Sequence, residues 1–511
     1  MARKIINTTV KTRAAAPLSV KSDILAVGVF SDEGKPGKLA GQINKELKGA
    51  VKKLMALGDF KAKCSSSAVI YTDGKIAPAR VLLVGLGEKK KLTSDCIRKA
   101  AASASNKAVS LKVANLTVAL SQQLPAKLSG DTIGQALAEG LLFGGYRYDE
   151  FVSKSKENRL DSIKCTIVDE APEKIKAMGK GVKAGTIIGK AQAYARTIAN
   201  RPGNIINPPT LAAEARKVAN ADPSLTCKVF NEKQLIQMKA GGILAVGAGS
   251  KSEPRMIVFK YTPKGAAAKA KKPIALVGKA VTFDAGGISL KPSAGMEEMK
   301  FDKSGGIAVL GAMKAIAALK PAQTVYGIIP SAENMPDGTA TRPGDIITTM
   351  SGKTVEIKNT DAEGRLILCD AIHYANSKLK CEAIVDIATL TGACVVALGK
   401  YMAGLMSNDD DLVDQLKAAA DSSGEKVWHL PCTDEYSDDL KTPIADICNI
   451  GNSRWGGAIT AGAYLKAFVG ETKWAHIDMA GMDMFAGKAY GTPGSPGYGV
   501  RLLTEFAVNY K

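Results

Sequence analysis

Apolar and polar positions alternate along the chain in two long blocks, each with strand-length apolar runs separated by stretches of helical periodicity. In the first block, Ile24–Phe30, Ala68–Tyr71 and Arg80–Gly87 read as strands, and the Ala/Lys-rich stretch Ser94–Leu111 reads as a helix. A charged, less apolar stretch at Lys154–Lys164 precedes a further strand-like run, Cys165–Val168, which places a domain boundary near 155–180. A helical segment from about Lys183 to Asn200 then acts as a connector, until RPGNIINPPT at 201–210 breaks it with prolines and a glycine.

The second block predicts strands at Met256–Tyr261, Ile274–Val277, Val325–Ile329 and Ala383–Ile387, with helices at Gly305–Leu319, Gly364–Ser377 and Thr460–Val469. The Lys/Ala-rich stretch Lys264–Lys272 reads as a loop, and no internal repeat is visible. Strands alternating with helices predict an α/β protein. The expected organisation is a smaller N-terminal α/β domain over 1–165, a connecting helical segment over 166–200, and a larger α/β domain over 201–511. The larger domain should hold a central mixed sheet flanked by helices.

Composition narrows this picture. The 511 residues exceed what one core supports, and 46% hydrophobic with 23% charged residues is ordinary globular usage. The N-terminus has no apolar stretch of signal-peptide length and no run reaches membrane-spanning length, so a cytoplasmic location is expected; the basic first residues, with Arg3, Lys4, Lys11 and Arg13, leave a transit-like reading as the minor alternative. Nine scattered cysteines without a CxxC pair read as small buried hydrophobes of a reducing compartment. The net charge of +20 is concentrated before about residue 165, where basic residues outnumber acidic ones about twofold. Nucleic acid is therefore an alternative partner, but the lysines are dispersed without interleaved aromatics, which favours a solubilising surface.

The chain holds only three histidines, His373, His429 and His476, and has no HExxH, no GxSxG and no GxxxxGK[ST]. Two-histidine metalloproteases and nucleotide hydrolases are thereby disfavoured. Acids and lysines crowded by glycine stand out instead, in VGKAVTFDAGGISLKP (277–292) running on to MKFDKSGG, and in NTDAEGRL (359–366). Lys279 and Asp284 follow an apolar run where a buried strand would reach its open edge, the place where α/β sheets keep their sites. Gly286 and Gly287 allow close backbone approach, Lys291 follows shortly, and Asp302 lies on a loop before Gly305 and Gly306. Asp361 and Glu363 alternate, so on an extended stretch both point to one side. Paired carboxylates repel unless a cation neutralises them, and oxygen-rich sites suit divalent metals. Taken singly, each of these residues would be an ordinary surface salt-bridge partner.

These motifs resemble the leucyl aminopeptidase (cytosol aminopeptidase) family, whose characteristic octapeptide NTDAEGRL matches throughout. The likeness extends over ENMPDGTATRPGDI (333–346), DIATLTGA (386–393), WAHIDMAG (474–481) and YGVRLL (498–503), and more weakly over RVLLVGLG (80–87) and GGYRYDEF (144–151). The resemblance implies a metal-dependent aminopeptidase that releases N-terminal residues, preferentially leucine, from peptides by two-metal-activated water. Two divalent ions, Mn²⁺ or Zn²⁺, would be held by Lys279, Asp284, Asp302, Asp361 and Glu363, with Asp284 and Glu363 bridging. Lys291 and Arg365 would be catalytic, Lys291 toward the oxyanion and Arg365 holding a bicarbonate ion that acts as general base. A homohexamer is implied, with Trp474 and Asp478 as packing residues near a subunit contact, and His373 and His476 as structural residues. Ala285, Lys303 and Ser304 depart from the common pattern, but they neighbour the ligand positions and do not occupy them. A cysteinylglycine-hydrolysing dipeptidase of the same fold is a third reading.

Overall fold

The β-branched and aliphatic runs of the first block form a six-stranded sheet whose inner strands are buried on both faces, as Ile24–Phe30 is throughout, while the edges Asn7–Ala14 and Ser67–Tyr71 stay partly exposed. The computed structural model describes residues 5–33, 36–125, 127–153, 160–265, 272–483, 490 and 494–511. Most of the charged stretch from Lys154 and of the Lys264–Lys272 loop reading lies outside them. Two compact units emerge, Met1–Ala193 with Gly487–Pro493, and Tyr194–Ala486 with Gly494–Lys511. The division falls inside one helix, Pro172–Asn200, which begins earlier than the periodicity predicts.

In the first unit the strands are β1 (Asn7–Ala14), β2 (Ile24–Phe30), β3 (Ser67–Tyr71), β4 (Arg80–Gly87), β5 (Asn115–Ala119) and β6 (Ser162–Asp169). They lie in the order β1-β6-β5-β2-β4-β3, all parallel except the antiparallel β3 edge. The helices Ser94–Ser110 and Gly130–Gly145 pack together through small residues: a Cβ at Gly140 would lie 2.2 Å from the Arg98 carbonyl oxygen. Side chains from β2, β4, β5 and both helices, among them Ile24, Leu82, Val118, Ile97 and Leu137, share one core.

The second unit is built on β7 (Leu225–Phe230), β8 (Arg255–Tyr261), β9 (Ile274–Gly278), β10 (Ala280–Asp284), β11 (Val325–Asn334), β12 (Ile346–Thr348), β13 (Thr354–Glu356), β14 (Ala383–Ala388), β15 (Ala403–Ser407), β16 (Val427–His429), β17 (Ile447–Cys448) and β18 (Lys473–Asp478). The main sheet is mixed, in the order β16-β15-β18-β14-β9-β11-β8-β7, with β10 pairing on β11. At its centre β18, β14, β9 and β11 run parallel, so their carboxyl ends open on one side. Helix Ser304–Leu319 covers the face carrying Gly327, where a Cβ would meet Met313 and Val309. Helix Gly364–Ser377 covers the other, with Ala275, Val277 and Ile328 in its core. The expected α/β class, with a mixed sheet flanked by helices, is what the chain adopts. No helix among the described residues is long and apolar enough to cross a membrane.

Candidate metal centre

The sheet end sets the site. Backbone packing at the end of β9 is tight: a Cβ at Gly278 would lie 2.4 Å from the Gly305 carbonyl oxygen, and one at Gly305 would lie 2.2 Å from that of Ile387. Lys279 follows directly, its N–H bonded to Ile387 O at 3.1 Å and its own carbonyl accepting Gly306 N–H at 2.6 Å. Its side chain, 2% exposed, ends 2.8 Å from Asp302 Oδ1, 2.7 Å from Glu363 Oε1 and 2.9 Å from the Thr389 carbonyl oxygen. Burial disfavours that ammonium, yet the Asp302, Glu363 and Asp284 carboxylates outweigh it and hold its pKa above the usual lysine range.

Sequence periodicity did not reveal β10, which ends at Asp284. That side chain is buried, with Oδ1 accepting Gly286 N–H at 2.9 Å and Asn334 Nδ2 at 2.8 Å, and Oδ2 lying 2.9 Å from Lys291 Nζ. Lys291 also pairs with Asp361. Gly286 and Gly287 make this turn in the left-handed region, at φ 89° and 68°, and a Cβ at Gly287 would lie 2.7 Å from Asn334 Oδ1. Thr360 joins the two distant stretches: its hydroxyl donates to Gly286 O at 2.6 Å and accepts Ser289 N–H at 2.8 Å.

Asp361 and Glu363 do not lie on an extended stretch as expected. The chain turns at Asp361, stapled by its N–H to Asn359 Oδ1 at 2.8 Å, and Glu363 is already helical (φ −78°, ψ −33°) at the head of Gly364–Ser377. A turn followed by a helix start still brings both carboxylates inward. One oxygen each of Asp284, Asp361 and Glu363 lies within 4.8 Å of the others. Asp302 directly follows the 3₁₀ segment Met296–Phe301; its Oδ1 accepts the Thr389 hydroxyl at 2.7 Å, while its buried Oδ2 has no hydrogen-bond partner. Burial raises the pKa of Asp284, Asp302 and Asp361, and neighbouring carboxylates add to it, so the gathered acids repel one another unless a cation neutralises them. The donor set and the unpartnered Asp302 oxygen fit divalent metals.

Arg365 stands apart from this acid cluster, one step into the helix, buried and donating Nη1 to Asn449 O at 2.8 Å. Burial lowers its pKa. His373 is half-buried on the same helix. His476 is fully buried in the sheet, 2.5 Å from Asp386 Oδ1, whose other oxygen accepts Trp474 Nε1 at 2.7 Å. Trp474 and Asp478 are 0% exposed, so both belong to the interior of this unit.

Sequence reasoning missed Asn334, Thr389 and Asn449. The first two lie inside quoted motifs, ENMPDG and DIATLTGA, but neutral side chains give no charge signal. Asn449, which sends Nδ2 to Asn359 O at 2.6 Å, lies in no quoted motif.

The description "Cytosol aminopeptidase family, catalytic domain" matches residues 193–504, and the family's N-terminal domain matches 26–155. The chain belongs to the cytosol aminopeptidase family. It is 42% identical to a probable cytosol aminopeptidase of Geobacter sp. (strain M21) over 494 residues, 96% of this chain and 97% of that one. A probable cytosol aminopeptidase of Chlorobaculum tepidum is 45% identical over 461 residues, 88% and 90% of the two chains. Among solved structures, a mutant of tomato leucine aminopeptidase is similar with TM-score 0.87 and 32% identity, covering 98% of this chain and 97% of that one. The bottromycin maturation enzyme BotP in complex with Mn gives TM-score 0.81 at 32% identity, covering 95% and 99%. As a cytosol aminopeptidase family member, the chain is a metallo-exopeptidase that acts on peptides.

Proposed function

We propose that this cytosol aminopeptidase releases N-terminal residues, leucine by preference, using two divalent metals, Mn²⁺ or Zn²⁺, held by Lys279, Asp284, Asp302, Asp361 and Glu363. The observation that carries the reading is the gathering of these five side chains, from stretches up to 84 residues apart (279 to 363), at the carboxyl ends of β9, β10 and β14. When bound, the metals would supply Lewis acidity for the peptide carbonyl and make water a better nucleophile. Asp284 and Glu363 would bridge them. Lys279 would serve one metal as a neutral amine alongside Asp302, and Asp361 would serve the other.

Lys291 sits on the partly open side of this group, its side chain 21% exposed, and would present its ammonium to the oxyanion that develops on the scissile carbonyl. Arg365 offers a buried guanidinium to bicarbonate, the base that a site without histidine lacks. The division into an N-terminal domain (1–165), a connecting segment (166–200) and a catalytic domain (201–511), assembly as a homohexamer, and a cytoplasmic location belong to the same reading.

Hydrolysis of leucine p-nitroanilide with added Mn²⁺ tests it, alongside Asp361→Ala and Glu363→Ala. Activity in the wild type with at least a hundredfold loss in both variants is expected, and equal activity in all three rejects the assignment.

A further inference from the structure

Parallel sheets are ordinarily covered on both faces, but one face of the first unit's sheet changes character part-way across. Where helix Lys38–Glu46 covers it, Leu39 and Ile43 share a core with Leu25, Val27, Ala119 and Val168. Toward the β1 edge the same face turns polar. In parallel register Lys11 stands beside Thr166 and Thr166 beside Thr117, while Thr9 stands beside Lys164 and Lys164 beside Asn115. Thr117 in turn neighbours Leu25 on β2, so these side chains continue the face that the helix covers elsewhere. With the segment Val20–Ser22 the three strands line a cavity of about 550 Å³. Lys11, Arg13, Lys21 and Lys164 are exposed around it, and among the described residues that line it there is neither a carboxylate nor an aromatic ring. None of these four cations has an ion-pair partner among the described residues. Asp23, next to Ser22 in the chain, is engaged elsewhere, its Oδ2 accepting Ala114 N–H at 3.1 Å and Asn115 N–H at 2.8 Å. Thr117 lies at the floor, 2% exposed, and its hydroxyl makes no hydrogen bond among the described residues. Basic residues that look dispersed along the sequence are thus gathered around one concave, hydroxyl-floored site.

We propose that this cavity binds a small anion carrying several phosphate groups. Like charges held close together repel, and a multivalent anion among them turns that repulsion into attraction. Phosphate oxygens accept from ammonium, guanidinium and hydroxyl donors alike, which is the mixture that Lys11, Lys164, Arg13 and Thr117 present. The volume is that of a small-molecule site. Without an aromatic ring the cavity offers no platform on which the bases of a nucleic-acid strand would stack, so recognition falls on the anionic groups themselves. Every residue involved belongs to the first unit, so the site is separate from the acid cluster that would hold the metals.

Equilibrium dialysis of the full-length protein against radiolabelled inorganic pyrophosphate tests this. Saturable binding is expected, weakened about tenfold in each of Lys11→Ala and Lys164→Ala and about threefold in Thr117→Val, which removes the floor hydroxyl and keeps its shape. Lys53→Ala, which removes an exposed first-unit cation outside the cavity, should bind as the wild type does. Glu363→Ala should retain the binding that Lys11→Ala loses, which separates this site from the metal centre. Four results would overturn the proposal: no saturable binding, the same weakening in Lys53→Ala as in Lys11→Ala, binding that Glu363→Ala abolishes, or equal displacement of the label by tetraglutamate. A DNA duplex that binds this protein and is not displaced by pyrophosphate would assign the cations to a nucleic-acid surface instead.

Discussion

Thr391 donates its hydroxyl to Asp478 Oδ2 at 2.6 Å, tying the end of β18 to the loop that follows β14. The other carboxylate oxygen accepts Leu390 N–H at 3.1 Å and Ala480 N–H at 3.2 Å. This loop also supplies the Thr389 carbonyl to Lys279 and the Thr389 hydroxyl to Asp302. Asp478 therefore orders the loop that holds Lys279 and Asp302, two members of the proposed ligand set.

Asp478→Ala should cost about 3 kcal/mol of stability, because several buried donors lose their acceptor at once. It should also weaken metal binding more than tenfold, since the loop that orients Asp302 loosens. Thermal unfolding and a metal titration check both parts. A destabilised variant with unchanged metal affinity would show that the loop keeps its shape without Asp478.

Gly364→Ala should remove the contribution of Lys279. A Cβ at Gly364 would lie 2.7 Å from Lys279 Nζ and equally close to its Cε, so the amine must swing away from Asp302 and Glu363. Metal content should fall from about two equivalents toward one, with activity down about a hundredfold, while circular dichroism stays that of the wild type.

Lys291→Ala should leave metal content intact and lower kcat by about 10²–10³ with little change in KM, the pattern expected when an oxyanion partner is lost. Lys291→Arg should recover part of the rate. A KM effect alone would assign Lys291 to ground-state binding.

His476 should make stability pH-dependent. Burial opposes its charge, but the Asp386 carboxylate and its hydrogen bond prevail and raise the pKa above the ordinary 6.5. A raised pKa means the ion pair stabilises fully below pH 6.5, and the contribution is lost as pH rises through the folded-state value. The gap in unfolding free energy between wild type and His476→Asn should be about 3 kcal/mol at pH 6 and should shrink by pH 9, measured by urea denaturation. A gap independent of pH would mean the imidazole is neutral throughout.

Strands buried on both faces were readable because their apolar runs are unbroken: Ile24–Phe30 and Arg80–Gly87 appear with the predicted bounds. β10 was not readable, because Ala280–Asp284 follows β9 after a single residue and no turn signal divides them. The acids of the site showed in the sequence through their density near glycines. The local shape around Asp361 did not, because an Asn359 side chain bonding to the Asp361 N–H replaces the extended backbone that alternation suggests. Asn334 and Thr389 act through hydrogen bonds to Asp284 and Asp302, a relation that only three-dimensional proximity reveals.

The glycines at 278 and 305 work as a gauge. They let main chain rest on main chain where β9, β14 and the following helix meet, so the span between Lys279 and Asp302 is set by peptide groups and not by adaptable side chains. A single added methyl at either position would act as a shim, altering the spacing of the donors while leaving every one of them in the sequence.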